Sequence, residues 1–177
     1  MPYLRAATDT PFGAMPHGEV LRLSPYLKDA SAAAIYPGDF VTLETDGGVE
    51  VATASQALII GVAAEYSAAS TRKADFLVYD HPDQLFVVQD DSAVTGMTEA
   101  SIGGNVDLVV TTGDTTTFRS LHEIDSSSIA TTSTLACKVL ALHPIEAGSF
   151  ATTTSEWRKW IVAINSHQNK GYETVGI

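Results

Sequence analysis

The sequence predicts an all-β fold, a compact β-barrel or sandwich of about eight short strands with an extended N-terminal arm. Two observations carry this. Short runs of alternating apolar and polar residues recur along the chain, and no convincing amphipathic helix separates them. Charged residues make up only 18% while Thr, Ser, Ala and Gly are plentiful, a balance that suits short strands and turns. At 177 residues the chain has room for one well-cored domain, assigned to residues 35–177, with residues 1–34 as the arm.

The arm is assigned from Pro2, Pro11, Gly13, Pro16, Gly18 and Pro25, which recur too often for a long helix or a central strand. Ile35-Tyr36-Pro37-Gly38-Asp39 then turns into a strand at Phe40 to Glu44, where Val41 and Leu43 alternate with Thr42 and Glu44. Asp46-Gly47 is a hairpin signal, and Val49 and Val51 return. Leu58 to Ala63 is continuously apolar, as a deeply buried strand should be.

Phe76 to Asp91 reads as two strands joined by a corner at His81-Pro82-Asp83, since proline cannot donate to a ladder. Met97 to Ile102 predicts one helical turn ended by Gly103-Gly104, and Asn105 to Val110 resumes as strand. Ser/Thr tracts flank Leu121 to Ile124. Leu135 to Leu142 is a further strand, with Leu135, Cys137, Val139 and Ala141 on one face. In the last strand Trp160, Val162 and Ile164 share a buried face, Trp157 is the more exposed tryptophan, and Tyr172 to Ile177 is a short tail.

The net charge of −11 is unevenly placed. Residues 1–38 balance at zero, residues 39–125 hold fifteen acids against Arg72, Lys73 and Arg119 for −12, and the remainder comes to +1. An acidic middle excludes phosphate-backbone binding and repels an anionic membrane surface, so neither nucleic acid nor membrane is an expected partner. The N-terminus lacks the apolar core of a signal peptide, so synthesis and folding in the cytoplasm are expected.

No chemical constellation emerges. Cys137 with His122 or His143 is a conceivable thiolate pair, but an alternating strand cysteine reads as a small core residue. The five histidines lack metal-ligand spacing, and Asp80, Asp83, Asp90 and Asp91 read as solvated or capping loop acids. No metal, cofactor or catalytic residue is expected.

With these residues in view, the chain resembles the capsid decoration, or cement, proteins of tailed bacteriophages. The resemblance lies in the block from Ile35-Tyr36-Pro37-Gly38-Asp39-Phe40-Val41 through Ile60-Gly61-Val62-Ala63, and in VYDHPDQLFVVQDD. It continues in Ile102 to Val110, in the Ser/Thr tract with Leu121-His122-Glu123-Ile124-Asp125, and in WRKWIVAINSHQ, together most of the chain. It implies a structural virion protein, made in the host cytoplasm and bound to the capsid outer surface. Its partners would be the major capsid protein and itself, with a trimer favoured. On that reading Tyr3, Arg5, Phe12, Met15, Leu21, Arg22 and Tyr26 of the neutral arm face the capsid. Trp157, Tyr172 and Ile177 are expected at a subunit contact. The rival expectation is a β-sandwich module that binds glycans or a host surface through exposed Tyr or Trp.

Overall fold

The computed structural model describes residues 9–91, 97–144 and 157–170. Within them lie twelve strands: β1 (Met15–His17), β2 (Leu23–Lys28), β3 (Phe40–Leu43), β4 (Val49–Val51), β5 (Gly61–Ala63), β6 (Lys73–Tyr79), β7 (Leu85–Gln89), β8 (Asn105–Val106), β9 (Leu108–Val109), β10 (Glu123–Ile124), β11 (Cys137–Leu142) and β12 (Lys159–Ile164). They form a sandwich-like fold and no closed barrel. One five-stranded sheet has the order β1-β7-β12-β11-β8, the other β2-β6-β5-β3-β4, and β9 with β10 makes a small third sheet. Every strand pairing is antiparallel.

The sequence-predicted corner does more than bend a strand. β6 belongs to one large sheet and β7 to the other, so His81-Pro82-Asp83 carries the chain across the sandwich. The amide of Gln84 donates to the His81 carbonyl at 3.0 Å, and that of Asp83 to His81 Nδ1 at 3.1 Å, which closes the turn without a donor from Pro82.

Two cores explain the texture of the second sheet. Phe40, Ile59 and Val62 enter the main core with Phe86, Val88, Cys137, Val139, Trp160 and Val162. Val41, Ile60 and Ala63 enter a second core with Ile35, Val49, Phe76 and Val78. Neighbouring residues on a strand point to opposite faces, so a sheet buried on both sides needs the unbroken apolar run Ile59 to Ala63, whereas Leu58, expected to be buried with it, is 38% exposed. The β3–β4 hairpin turns on Gly47, whose φ of +82° is a conformation that side chains resist. Leu27 of β2 bridges Gly48, next to β4 at the opposite edge of this sheet, and the buried Lys28 ammonium donates to the carbonyls of Ala68 and Thr71 at 3.0 and 3.2 Å. Burial lowers the Lys28 pKa, against the attraction of Asp29 and Glu50.

Residues 9–34 follow an extended course, with β1 on the edge of one sheet and β2 on the edge of the other. Pro16 faces Phe86 and Pro25 faces Leu77 in these ladders. The run Asn105 to Val110 divides into β8 and β9, which join different sheets. In β11 the register against β12 shifts between Val139 and Ala141, so Cys137, Val139 and Leu142 are buried in place of a strict alternation ending on Ala141. The helical turn foreseen at Met97 to Ile102 is a 3-10 turn at Glu99–Ser101.

Candidate functional site

The N-terminal segment positions the most distinctive surface. Ala14 donates to the Gly38 carbonyl at 2.9 Å, and Ser120 donates to the Pro37 carbonyl at 3.1 Å, tying three separate stretches together. Gly13, at φ +73°, lies so close that a Cβ there would come within 2.4 Å of Ser120 Cβ. Beneath this knot Asp39 and His122 are both buried, with His122 Nε2 3.4 Å from Asp39 Oδ1. His122 Nδ1 accepts from the Phe40 amide at 3.2 Å, so the ring proton sits on Nε2 and faces Asp39.

Ser120, His122 and Asp39 are residue types used in nucleophilic catalysis, but their arrangement is different. The Ser120 hydroxyl oxygen accepts the His122 backbone amide at 3.0 Å, and all three side chains are closed to solvent. Burial pushes Asp39 up to about 6, against the lowering effect of hydrogen bonds from Ser120 and the Tyr36 amide, and burial pulls His122 down to about 4. The cluster pins loops. Cys137 is buried in the main core and its thiol pKa is raised by burial, then by the nearby Asp107, which disfavours the reactive thiolate.

Above the knot opens a groove of about 740 Å³. Its apolar lining comes from Pro11, Phe12, Met15, Pro16, Val87 and Leu121, and its polar lining from Thr10, His17, Asp114, Thr117, Arg119, His143 and Lys159. The His17 and His143 rings meet edge to face at 5.6 Å, and Lys159 Nζ lies 6.0 Å from the centre of the Phe12 ring. Along the same N-terminal segment four large apolar side chains stand exposed: Met15 is 54% exposed, Val20 47%, Leu21 48% and Leu23 43%. Gln84 holds Leu21 in place by accepting its amide at 2.9 Å.

Phe12 and Met15, both expected at the capsid, line the groove, and Leu21, expected there too, is exposed. Arg22 and Tyr26 are engaged inward: Arg22 Nε donates to Asp80 Oδ1 at 2.8 Å and the Tyr26 hydroxyl donates to Asp80 Oδ2 at 2.7 Å, joined by Ser24. Burial, then the Asp80 carboxylate, pushes the Tyr26 pKa up to about 12. Trp157 is half-buried at φ +53°, just ahead of β12. Tyr3, Arg5, Tyr172 and Ile177 lie outside the described residues.

The expectation that the acids of the Phe76 to Asp91 stretch form a solvated surface is corrected at two positions. Asp80 and Asp90 are buried. Burial pushes Asp80 up, but hydrogen bonds from Arg22, Tyr26 and Ser24 outweigh it and hold the carboxyl below its ordinary range. Asp90 accepts the Arg158 amide at 3.0 Å and the Trp160 indole N–H at 2.9 Å. Asp91 acts as a cap, accepting from the Ser126 amide and hydroxyl at 2.9 and 2.7 Å.

Arg119, Leu121, His143 and Lys159 in the groove escaped sequence reading, because the fold gathers them from separate segments with no local signal. Phe118 escaped too, hidden in a Ser/Thr tract. It stands 49% exposed at φ +53°, with its ring 4.9 Å from that of Tyr66, which packs at 5.1 Å on Tyr36. Among the described residues no group of His, Cys, Asp and Glu is arranged to hold a metal ion, and no helix is long and apolar enough to cross a membrane. No protein-family model, curated protein or solved structure matches this chain.

Proposed function

We propose that this chain is a structural virion protein that binds the outer surface of a tailed-phage capsid and stabilises the mature lattice. The observation that carries the reading is the exposure of Met15, Val20, Leu21 and Leu23 along a segment held at the edges of both large sheets. Large apolar side chains exposed along one segment of the chain are what an interaction surface would use. Here they are set on a rigid frame, so little ordering entropy is lost on binding. Ligation of the assembled lattice in preference to free coat subunits shifts the equilibrium by mass action, worth about 2.7 kcal/mol per site at a hundredfold excess over Kd. Self-association, with a trimer favoured, belongs to the same reading and is measured by light scattering on the purified protein.

The test mixes the protein with undecorated capsids of the coat protein encoded in the same genome and measures co-sedimentation. Saturable, stoichiometric binding is expected, reduced at least about tenfold in Leu21→Asp/Leu23→Asp. Absence of binding overturns the reading. The Tyr66–Phe118 pair favours a second reading, a glycan-binding module, since aromatic faces at a surface stack well on sugars. Binding on a glycan array that is lost in Phe118→Ala, with no capsid binding, would establish that reading instead.

A further inference from the structure

We propose that the groove docks an acidic polypeptide segment anchored by an aromatic or branched aliphatic side chain. This deepens the lattice-binding reading and rests on it only for the source of the segment, a coat-protein loop or terminus. Charge is the first argument. The chain carries −11 overall, yet among the described residues the charged side chains lining the groove are Arg119 and Lys159 against Asp114. Asp114 is turned to its own loop: its carboxylate accepts the Thr116 amide at 2.7 Å and the Thr117 hydroxyl at 2.9 Å. Arg119 takes part in none of the ion pairs among the described residues and is exposed. A carboxylate-bearing partner therefore meets an exposed guanidinium on a chain that is otherwise strongly acidic.

The second argument is shape. Phe12, Met15, Pro16, Val87 and Leu121 supply an apolar lining, and about 740 Å³ is room for one or two large side chains with their backbone. The frame is fixed, because the Asp114 amide donates to the Arg119 carbonyl at 2.9 Å and β1 is paired to β7. A preformed apolar slot with a basic rim selects an apolar anchor flanked by acids and rejects the same anchor flanked by lysines.

The experiment uses the full chain and two fluorescein-labelled peptides, Gly-Asp-Glu-Phe-Leu-Asp-Glu-Gly and its counterpart with lysine at every acidic position, read by anisotropy. The acidic peptide is expected to bind at least about tenfold more tightly, with affinity falling as salt rises. Arg119→Glu and Met15→Asp alter exposed side chains, and circular dichroism verifies their folding. Each should weaken the acidic peptide at least about tenfold. No binding of the acidic peptide, equal binding of both peptides, or acidic-peptide affinity unchanged in both folded variants overturns the proposal, even if capsids still bind. Peptide binding as expected without capsid binding upholds the groove and overturns the lattice reading.

Discussion

Asp90 has no exposed surface, and its two oxygens hold the Arg158 amide and the Trp160 indole, so it fixes the entry of β12 into the main core. In Asp90→Asn the new amide would confront one of those donors with another donor. A loss of about 1–3 kcal/mol is expected, read as a lower urea midpoint at unchanged slope, whereas exposed Asp83→Asn should stay within about 0.5 kcal/mol. The Asp39–His122 pair makes a pH prediction. The folded imidazole resists a proton until about 4 while the unfolded one accepts it at 6.5, so stability present above 6.5 is lost as pH falls toward 4. Asp39 runs the other way: its folded carboxyl is protonated near 6 and its unfolded one at 3.8, so stability is gained as pH falls through that window. Asp39→Asn removes the gain and keeps the loss. Its unfolding free energy should therefore fall more steeply than wild type between pH 6.5 and 4.5, and a shallower slope would contradict the assignment.

At the scale of elements, β1 and β2 bind the two sheets through the N-terminal segment. β2 brings Arg22, Ser24 and Tyr26 to Asp80, and both strands cover edges that would otherwise be open to aggregation. Removing residues 1–28 should abolish cooperative unfolding, measured by near-ultraviolet circular dichroism during a urea titration; retention of a native transition would contradict this. Capsid binding is therefore better tested by Leu21→Asp/Leu23→Asp than by deletion. Much of the fold was legible in local sequence: the Asp46-Gly47 hairpin, the Pro82 corner and the doubly buried run ending at Ala63 each follow from a short-range rule. β1 and β2 were not, because Pro16 and Pro25 look like breakers. An edge strand accommodates them, having one side on which no donor is required. The phase change in β11 was hidden because a bulge is set by its partner strand. The candidate site was legible at Phe12, Met15 and Leu21, where apolar residues stand in a proline-rich segment. The groove was not, since Arg119, His143 and Lys159 reach it only through tertiary pairing.

The whole molecule combines a net charge of −11, two cores sharing one sheet, and exposed apolar residues on the segment that also lines the groove. High net charge favours solubility, and on the proposed reading the exposed apolar residues of the N-terminal segment and the groove carry the attachment. The most direct test is electron cryo-microscopy of the purified protein mixed with undecorated capsids from the same genome. The account predicts added density at lattice symmetry sites, with the Met15 to Leu23 segment facing the coat and density lost in Leu21→Asp/Leu23→Asp. Bare capsids at saturating protein, or density attached through another face, would contradict it.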